Sequence, residues 1–327
     1  GLSRAGYAGA FAAWAGFTVP SALALILFAL GIASYGDALP TGVLQGLKIV
    51  AVAVVAQAVW GMARSLCPDA LRASMMAAAT CFVLLVPTAW GQVGAIVIAG
   101  LLGLALFRPD AGAGHEALSI PVSRRAGGMW LGLFFALLAG LPLAVLVFPG
   151  QTLALVDAFY RAGSLVFGGG HVVLPLLQAE VVPPGWVESD VFLAGYGAAQ
   201  AVPGPLFTFA AFLGASMTDA PTAWVGGLIC LLAIFAPSFL LVAGALPFWE
   251  RLRRHLRTRA ALTGINAAVV GLLLAALYDP VWTSAIHGPK DFGLALVALI
   301  ALMFWKLPPW LVVLGAGVTG GLVAALP

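Results

Sequence analysis

Charge is what this chain most conspicuously lacks. Asp, Glu, Lys and Arg together make up 8% of its 327 residues, against about a quarter in soluble domains, and that shortage excludes a water-soluble globule. Cysteine is scarce too. Cys67, Cys81 and Cys230 lie far apart, match no metal-ligand spacing and read as small packing residues. There is no HExxH, no nucleophile elbow, no Walker loop and no pair of carboxylates set across a cleft. An enzyme is therefore not expected, nor is nucleotide hydrolysis, a cofactor, a metal or a nucleic-acid partner. A signal peptide and an initial methionine are absent as well, and a preceding portion of chain is expected.

What remains is apolar: 62% of the residues are hydrophobic and the mean hydropathy is +1.08. The runs suit helices crossing a hydrocarbon core of about 30 Å, and they lack the alternation of a barrel. The expectation is an all-α, polytopic transmembrane helical bundle in a lipid bilayer. Spans read near 10–32, 42–62, 73–90, 93–107, 128–149, 152–179, 189–217, 221–246, 260–278, 291–306 and 309–326. Residues 108–127, rich in Gly, Pro and charge, read as a cytoplasmic linker dividing a first repeat, 1–107, from a second, 128–327.

ERLRRHLRTR, residues 250–259, places five arginines in one short loop and marks that loop as cytoplasmic. Threading outward from it puts Arg4, Arg64, Arg72, Arg108, Arg124 and Arg125 inside, and the Asp37 loop and the C-terminus outside. Two pairs of segments then match. GFTVPSALALILFALG around Pro20 is like AIFAPSFLLVAGALP around Pro237, and LQGLKIVAVAVVAQAVW (44–60) is like LTGINAAVVGLLLAALY (262–278). The threading runs each pair in opposite directions, the mark of inverted-topology repeats.

Two segments of the second repeat are interrupted, by Gly168, Gly169 and Gly170 and by Pro203, Gly204 and Pro205. Each glycine costs a helix about 1 kcal/mol, and an interior proline removes a donor and clashes with the preceding turn. Two broken helices are expected, their breaks near mid-depth. Freed backbone groups at that depth must face protein or a polar cavity. Restarted half-helices would aim unpaired amides and positive dipole ends at the breaks, a site for a divalent anion. The plainer alternative is close helix packing and simple kinks.

SLVFGGGHVVLPLLQAEVV and AQAVPGPLFTFAAFLGA are similar to the signature of the chromate ion transporter family, and the likeness continues through IFAPSFLLVAGALPFWERLR and LTGINAAVVGLLLAALY, over 150–280. GYAGAFAAWAGFTVP resembles the stretch after the equivalent PGP motif in the first half of long, two-domain members. This chain departs from the pattern in showing no first-half FGG or PGP motif of its own. The resemblance implies export of chromate from the cytoplasm across a bacterial inner membrane, driven by the proton motive force. Sulfate or another divalent oxyanion is the alternative substrate; a channel or an inactive membrane subunit is the alternative class, and a homodimer is one arrangement left open.

The candidate site comprises Phe167, Gly168, Gly169, Gly170 and His171, with Gln200, Pro203, Gly204 and Pro205 opposite and Asn266 and Lys48 as second choices. His171 and Glu180 are candidates for proton coupling. His171 also fits a histidine satisfied by a carbonyl, and Lys48 a lysine snorkelling to the outer headgroups. Glu180, Glu188 and Asp190 are expected in a solvated cytoplasmic turn, and Asp157 with Arg161 as an intrahelical pair.

Overall fold

The computed structural model describes residues 2–35, 41–108, 123–167, 169–249 and 255–325, and within them every regular element is helical. The first four are α1 (Leu2–Tyr35), α2 (Thr41–Leu66), α3 (Ala70–Leu85) and α4 (Ala89–Leu106), and α5 (Arg124–Val147) follows the linker region. Short helices α6 (Gln151–Ser164), α7 (Val173–Val181), α8 (Ser189–Ala199) and α9 (Phe209–Ala215) come next. The chain continues with α10 (Ala223–Ala245), α11 (Leu256–Ala276), α12 (Pro289–Met303) and α13 (Pro309–Ala325). Among the described residues, six stretches are long and apolar enough to cross a membrane: Ala5–Ser34, Gly42–Leu66, Ala89–Leu106, Arg124–Val147, Ala223–Phe248 and Leu256–Ala285. The protein is a multi-pass membrane protein of the all-α class. Residues 109–122 of the linker, the Asp37 loop, Gly168 and residues 250–254 of the arginine loop lie outside the described residues.

Local chemistry sets the helix starts. Asp69 accepts a hydrogen bond from the Arg72 amide, Thr88 from Gly91 and Ser123 from Ala126, each satisfying a donor that the first turn leaves free. Proline opens α12 and α13, where its missing donor is not needed.

The breaks fall where the glycines and prolines are, yet neither interrupted segment runs on through. Arg161 of α6 grips Glu180 at the end of α7 at 2.8 Å, whereas 19 residues of continuous helix would separate them by about 28 Å. The Thr218 amide, just after α9, bonds to the Trp186 carbonyl, just before α8, at 3.4 Å. Each segment therefore doubles back as a helical hairpin, α6–α7 and α8–α9, with its break at the tip. The tips touch: the position of a Cβ on Gly170 lies 3.5 Å from Leu206. An interlocked aromatic group holds the second hairpin, with Phe192 and Tyr196 ring to ring against Phe209 at 5.1 and 5.6 Å and all three wholly buried.

This reversal corrects the sequence-based expectation for 180–190. Pro183 shares a crevice with Pro87 and Asp279, and Gln45 near the start of α2 donates to the Ala285 carbonyl at 2.7 Å. The 182–188 turn accordingly sits at the same face as the 86–88 and 279–288 loops, opposite the arginine-bearing ends of α2, α4 and α5. A segment that turns back returns to the face it left, so α10 still begins where a continuous crossing would have put it.

The long helices cross in reciprocal fashion. A Cβ on Gly46 of α2 would lie 2.1 Å from the Ala316 carbonyl oxygen, and one on Gly320 of α13 would lie 2.2 Å from that of Gly42. A Cβ on Gly264 of α11 would lie 2.1 Å from the Ala99 carbonyl oxygen, and one on Gly103 of α4 would lie 2.5 Å from that of Ala260. Both crossings are antiparallel, each uses the first turns of the matched helix, and in each the backbones approach where only glycine fits. Gly264→Val should destabilise the α4–α11 crossing by about 1–3 kcal/mol, the usual cost of overpacking, read as a lowered unfolding midpoint in detergent.

Candidate functional site

The two tips open into one cavity of about 830 Å³, lined by His171 from the first tip and by Gln200, Pro203, Gly204 and Leu206 from the second, with Trp310 and Leu314 of α13 closing the side. Single three-residue turns, Gly170–Val172 and Leu206–Thr208, lead from the tips into α7 and α9. The first amides of each turn have no preceding turn to bond to.

The second tip is held by α1. Ser21 Oγ donates to the Pro203 carbonyl, and a Cβ on Gly204 would lie 2.1 Å from Ser21 Oγ. Thr208 Oγ1 donates to the Pro205 carbonyl at 2.9 Å and braces the turn from within. Pro205 enters this turn as the residue before its first helical position, with φ −72° and ψ 135°.

His171 Nδ1 lies 2.9 Å from the hydroxyl of Tyr196, a fully buried residue of α8. This bond ties the first hairpin to the second. The histidine, which lines the cavity, is thus satisfied by a hydroxyl instead of a backbone carbonyl. Gln200 lines the cavity, and its Nε2 is buried with no hydrogen-bond partner among the described residues. A buried donor without an acceptor is costly, by about 1–3 kcal/mol, which makes it a place for a ligand or a water.

Gly169 is open. Among the described residues Met62 Sδ, 3.9 Å away, is the one atom within 4 Å of where its Cβ would lie; its φ is +158°, and it does not line the cavity. Phe167 packs against the core and does not line the cavity, and Gly168 is outside the described residues. Asn266 is half-buried on α11, the helix that packs against the Gly170–Val172 turn, but it too is absent from the cavity wall.

Lys48 is placed elsewhere. It pairs with Asp190 at 3.0 Å in a separate pocket of about 550 Å³, shared with Gln45 and Glu188. With two carboxylates beside one ammonium, that pocket is not built for a dianion, and Lys48 finds its counter-charge on α8 rather than among headgroups. Glu180 departs from expectation as well: its side chain is 12% exposed and both of its oxygens bond to Arg161, at 3.0 and 2.8 Å.

Sequence reasoning passed over Tyr196, Ser21 and Trp310. Tyr196 is a lone hydroxyl in an apolar stretch four residues before Gln200, and Ser21 adjoins the Pro20 of the repeat match. Those signals were present. Nothing local marks Trp310, which reaches the cavity from more than a hundred residues away.

The sequence profile of the family described as Chromate transporter matches residues 1–104 and 153–321, which is α1 to α4 and then the hairpins onward. The "Chromate transport protein" of Pseudomonas aeruginosa is 31% identical over 216 residues, 64% of this chain and 50% of that protein. The "Probable chromate transport protein" of Synechococcus elongatus is 29% identical over 189 residues, 56% of this chain and 46% of that protein. The "Uncharacterized transporter YwrA" of Bacillus subtilis is 30% identical over 174 residues, 51% of this chain and 93% of that protein. The chain thus spans about half the length of the first two relatives. No solved structure matches it significantly. With the profile covering both the helices before the linker and the paired FGGG and PGP hairpins after it, the chain belongs to the chromate transporter family.

Proposed function

We propose that this chain carries a divalent oxyanion, chromate, out of the bacterial cytoplasm across the inner membrane, coupled to protons, with the anion held where the two hairpin tips meet. The observation that carries this reading is the common cavity. His171 and the unpartnered Gln200 Nε2 flank it, and the Gly170–Val172 and Leu206–Thr208 turns each contribute a residue to its wall. Helix-start amides and neutral side-chain donors suit an oxyanion that must be released again. The names of the relatives from Pseudomonas aeruginosa and Cupriavidus metallidurans supply the substrate.

Orientation rests on charge. Arg64, Arg72, Arg108, Arg124, Arg125, Arg257 and Arg259 lie at one end of the long helices, which the positive-inside tendency makes cytoplasmic. The first tip lies toward that end, since Gly169 neighbours Met62 near the end of α2. The reciprocal α2–α13 and α4–α11 crossings favour reading 1–107 and 128–327 as inverted repeats, because Gly46 and Gly264 stand at matched positions in the two sequences and make the same kind of contact.

Labelled chromate supplied to inverted membrane vesicles should accumulate saturably, and a protonophore should collapse that accumulation. Chromate conductance without saturation or proton dependence would replace the transporter by a channel. Because backbone amides and a carboxamide read shape and charge rather than the central atom, sulfate is expected to compete with chromate, and competition in the same vesicles measures how closely.

A further inference from the structure

Near the opposite face from the arginine-bearing helix ends, the first hairpin encloses a charged group that the oxyanion cavity does not use. Arg161 donates through Nε and Nη2 to both oxygens of Glu180, at 3.0 and 2.8 Å, and through Nη1 to Asp157 Oδ2 at 3.1 Å. Side-chain exposures are 16% for Arg161, 12% for Glu180 and 11% for Asp157, and the Trp90 ring lies over the guanidinium at 5.7 Å. Two carboxylates share one cation in a largely dehydrated place. With all three ionised the group carries one net negative charge, and one bound proton makes it neutral.

We infer that Asp157, held to Arg161 and Glu180, is the residue that binds the coupling proton, and that it does so together with the oxyanion rather than in exchange for it. This rests on the oxyanion reading above. Glu180 is engaged through both oxygens, in the bidentate geometry of the stronger pair. Asp157 binds through Oδ2 at the longer distance, and its carboxylate takes the proton to become the neutral acid.

The charged groups facing Asp157 are Arg161 on its own helix and Glu180 on α7. Of the other helices packed on α6, α10 carries Cys230, beside Gly214, and α5 carries Arg124 and Arg125 at its far end. Tyr160 of α6 donates to the Phe134 carbonyl of α5 at 3.0 Å and is occupied there.

The sign of the coupling follows from position. Arg161 is one turn from the end of α6, and the glycine break follows immediately. A negative charge on this hairpin repels a dianion at its tip, so protonation of Asp157 favours occupancy of the tip, and by reciprocity the dianion favours the proton. A dianion travelling with one proton moves one net negative charge outward, the direction in which an inside-negative potential drives it.

The test is calorimetric titration of chromate into the purified full chain at about pH 8, in buffers of different ionisation enthalpy, which counts protons taken up per anion bound. Wild type is expected to take up about one proton. Asp157→Asn and Asp157→Ser are expected to bind chromate with no uptake, because the first mimics the protonated acid and the second removes the carboxylate. Wild-type binding without uptake, or uptake by both variants equal to wild type, overturns the inference and leaves the oxyanion reading standing. Failure of wild type to bind chromate overturns that reading, and this inference with it. The wild-type arm decides the sign of the coupling whatever the stability of the variants.

Discussion

Gly169→Val should abolish chromate export at unchanged protein level. The substituted side chain meets no backbone among the described residues, where Met62 Sδ at 3.9 Å is its one neighbour, but the φ of +158° at Gly169 makes any side chain strain the break itself. What it fills is the open space at the first tip, where the amides of the Gly170–Val172 turn begin. A branched apolar side chain there displaces the anion and covers its donors. Gly150→Ala is the matched control. No atom lies within 4 Å of its Cβ and it sits at the start of α6, away from the tips, so export should stay at the wild-type level. Full chromate resistance in cells carrying Gly169→Val, with the protein present in the membrane, would remove the tip from the transport path.

Arg161→Leu should be the most damaging single substitution to the fold. It removes the cation that closes the α6–α7 hairpin and leaves Asp157 and Glu180 buried side by side without a counter-charge. Breaking a buried ion pair from one side costs about 3–5 kcal/mol. Either the hairpin opens or both carboxylates are protonated. The expected readout is a large fall in the detergent unfolding midpoint, partly recovered at low pH as the carboxylates take up protons and the repulsion fades. Arg161→Leu combined with Asp157→Asn and Glu180→Gln should recover stability at neutral pH, because the uncompensated charge is then gone. An Arg161→Leu protein as stable as wild type would mean that the hairpin is closed by packing alone.

The class of the molecule and the location of its breaks were legible because each has a local cause. Apolar runs of membrane length specify helices, and Gly168–Gly170 and Pro203–Pro205 interrupt them wherever they stand. The doubling back of the broken segments was not legible. A glycine break allows a kinked crossing or a reversal equally, and the choice is made by Arg161 finding Glu180 and Thr218 finding Trp186, contacts across 19 and 32 residues. The face on which Glu180, Glu188 and Asp190 lie was misjudged for that single reason. In the sequence the turn reads as the end of a crossing, whereas in the fold it is the base of two hairpins.

Lys48 illustrates a different limit. Its position beside Asn266 in the repeat match drew it toward the site, yet matched positions in oppositely directed helices lie at opposite ends of the bundle. Asp190, which neutralises it, follows from the hairpin geometry rather than from its own helix. His171 and Gln200 were legible for a sounder reason: each is a polar residue flanking a break, and a break at depth must be lined by something polar. The bond from His171 to Tyr196 needed the two hairpins to be brought together.

The central claim is that one oxyanion sits between the two tips, and the chromium anomalous signal from crystals of the protein grown with chromate tests it most directly. The account expects a single peak in the 830 Å³ cavity, within hydrogen-bonding reach of Gln200 and of the starts of the 170–172 and 206–208 turns. A peak in the Lys48–Asp190 pocket instead, or no peak at saturating chromate, would contradict it.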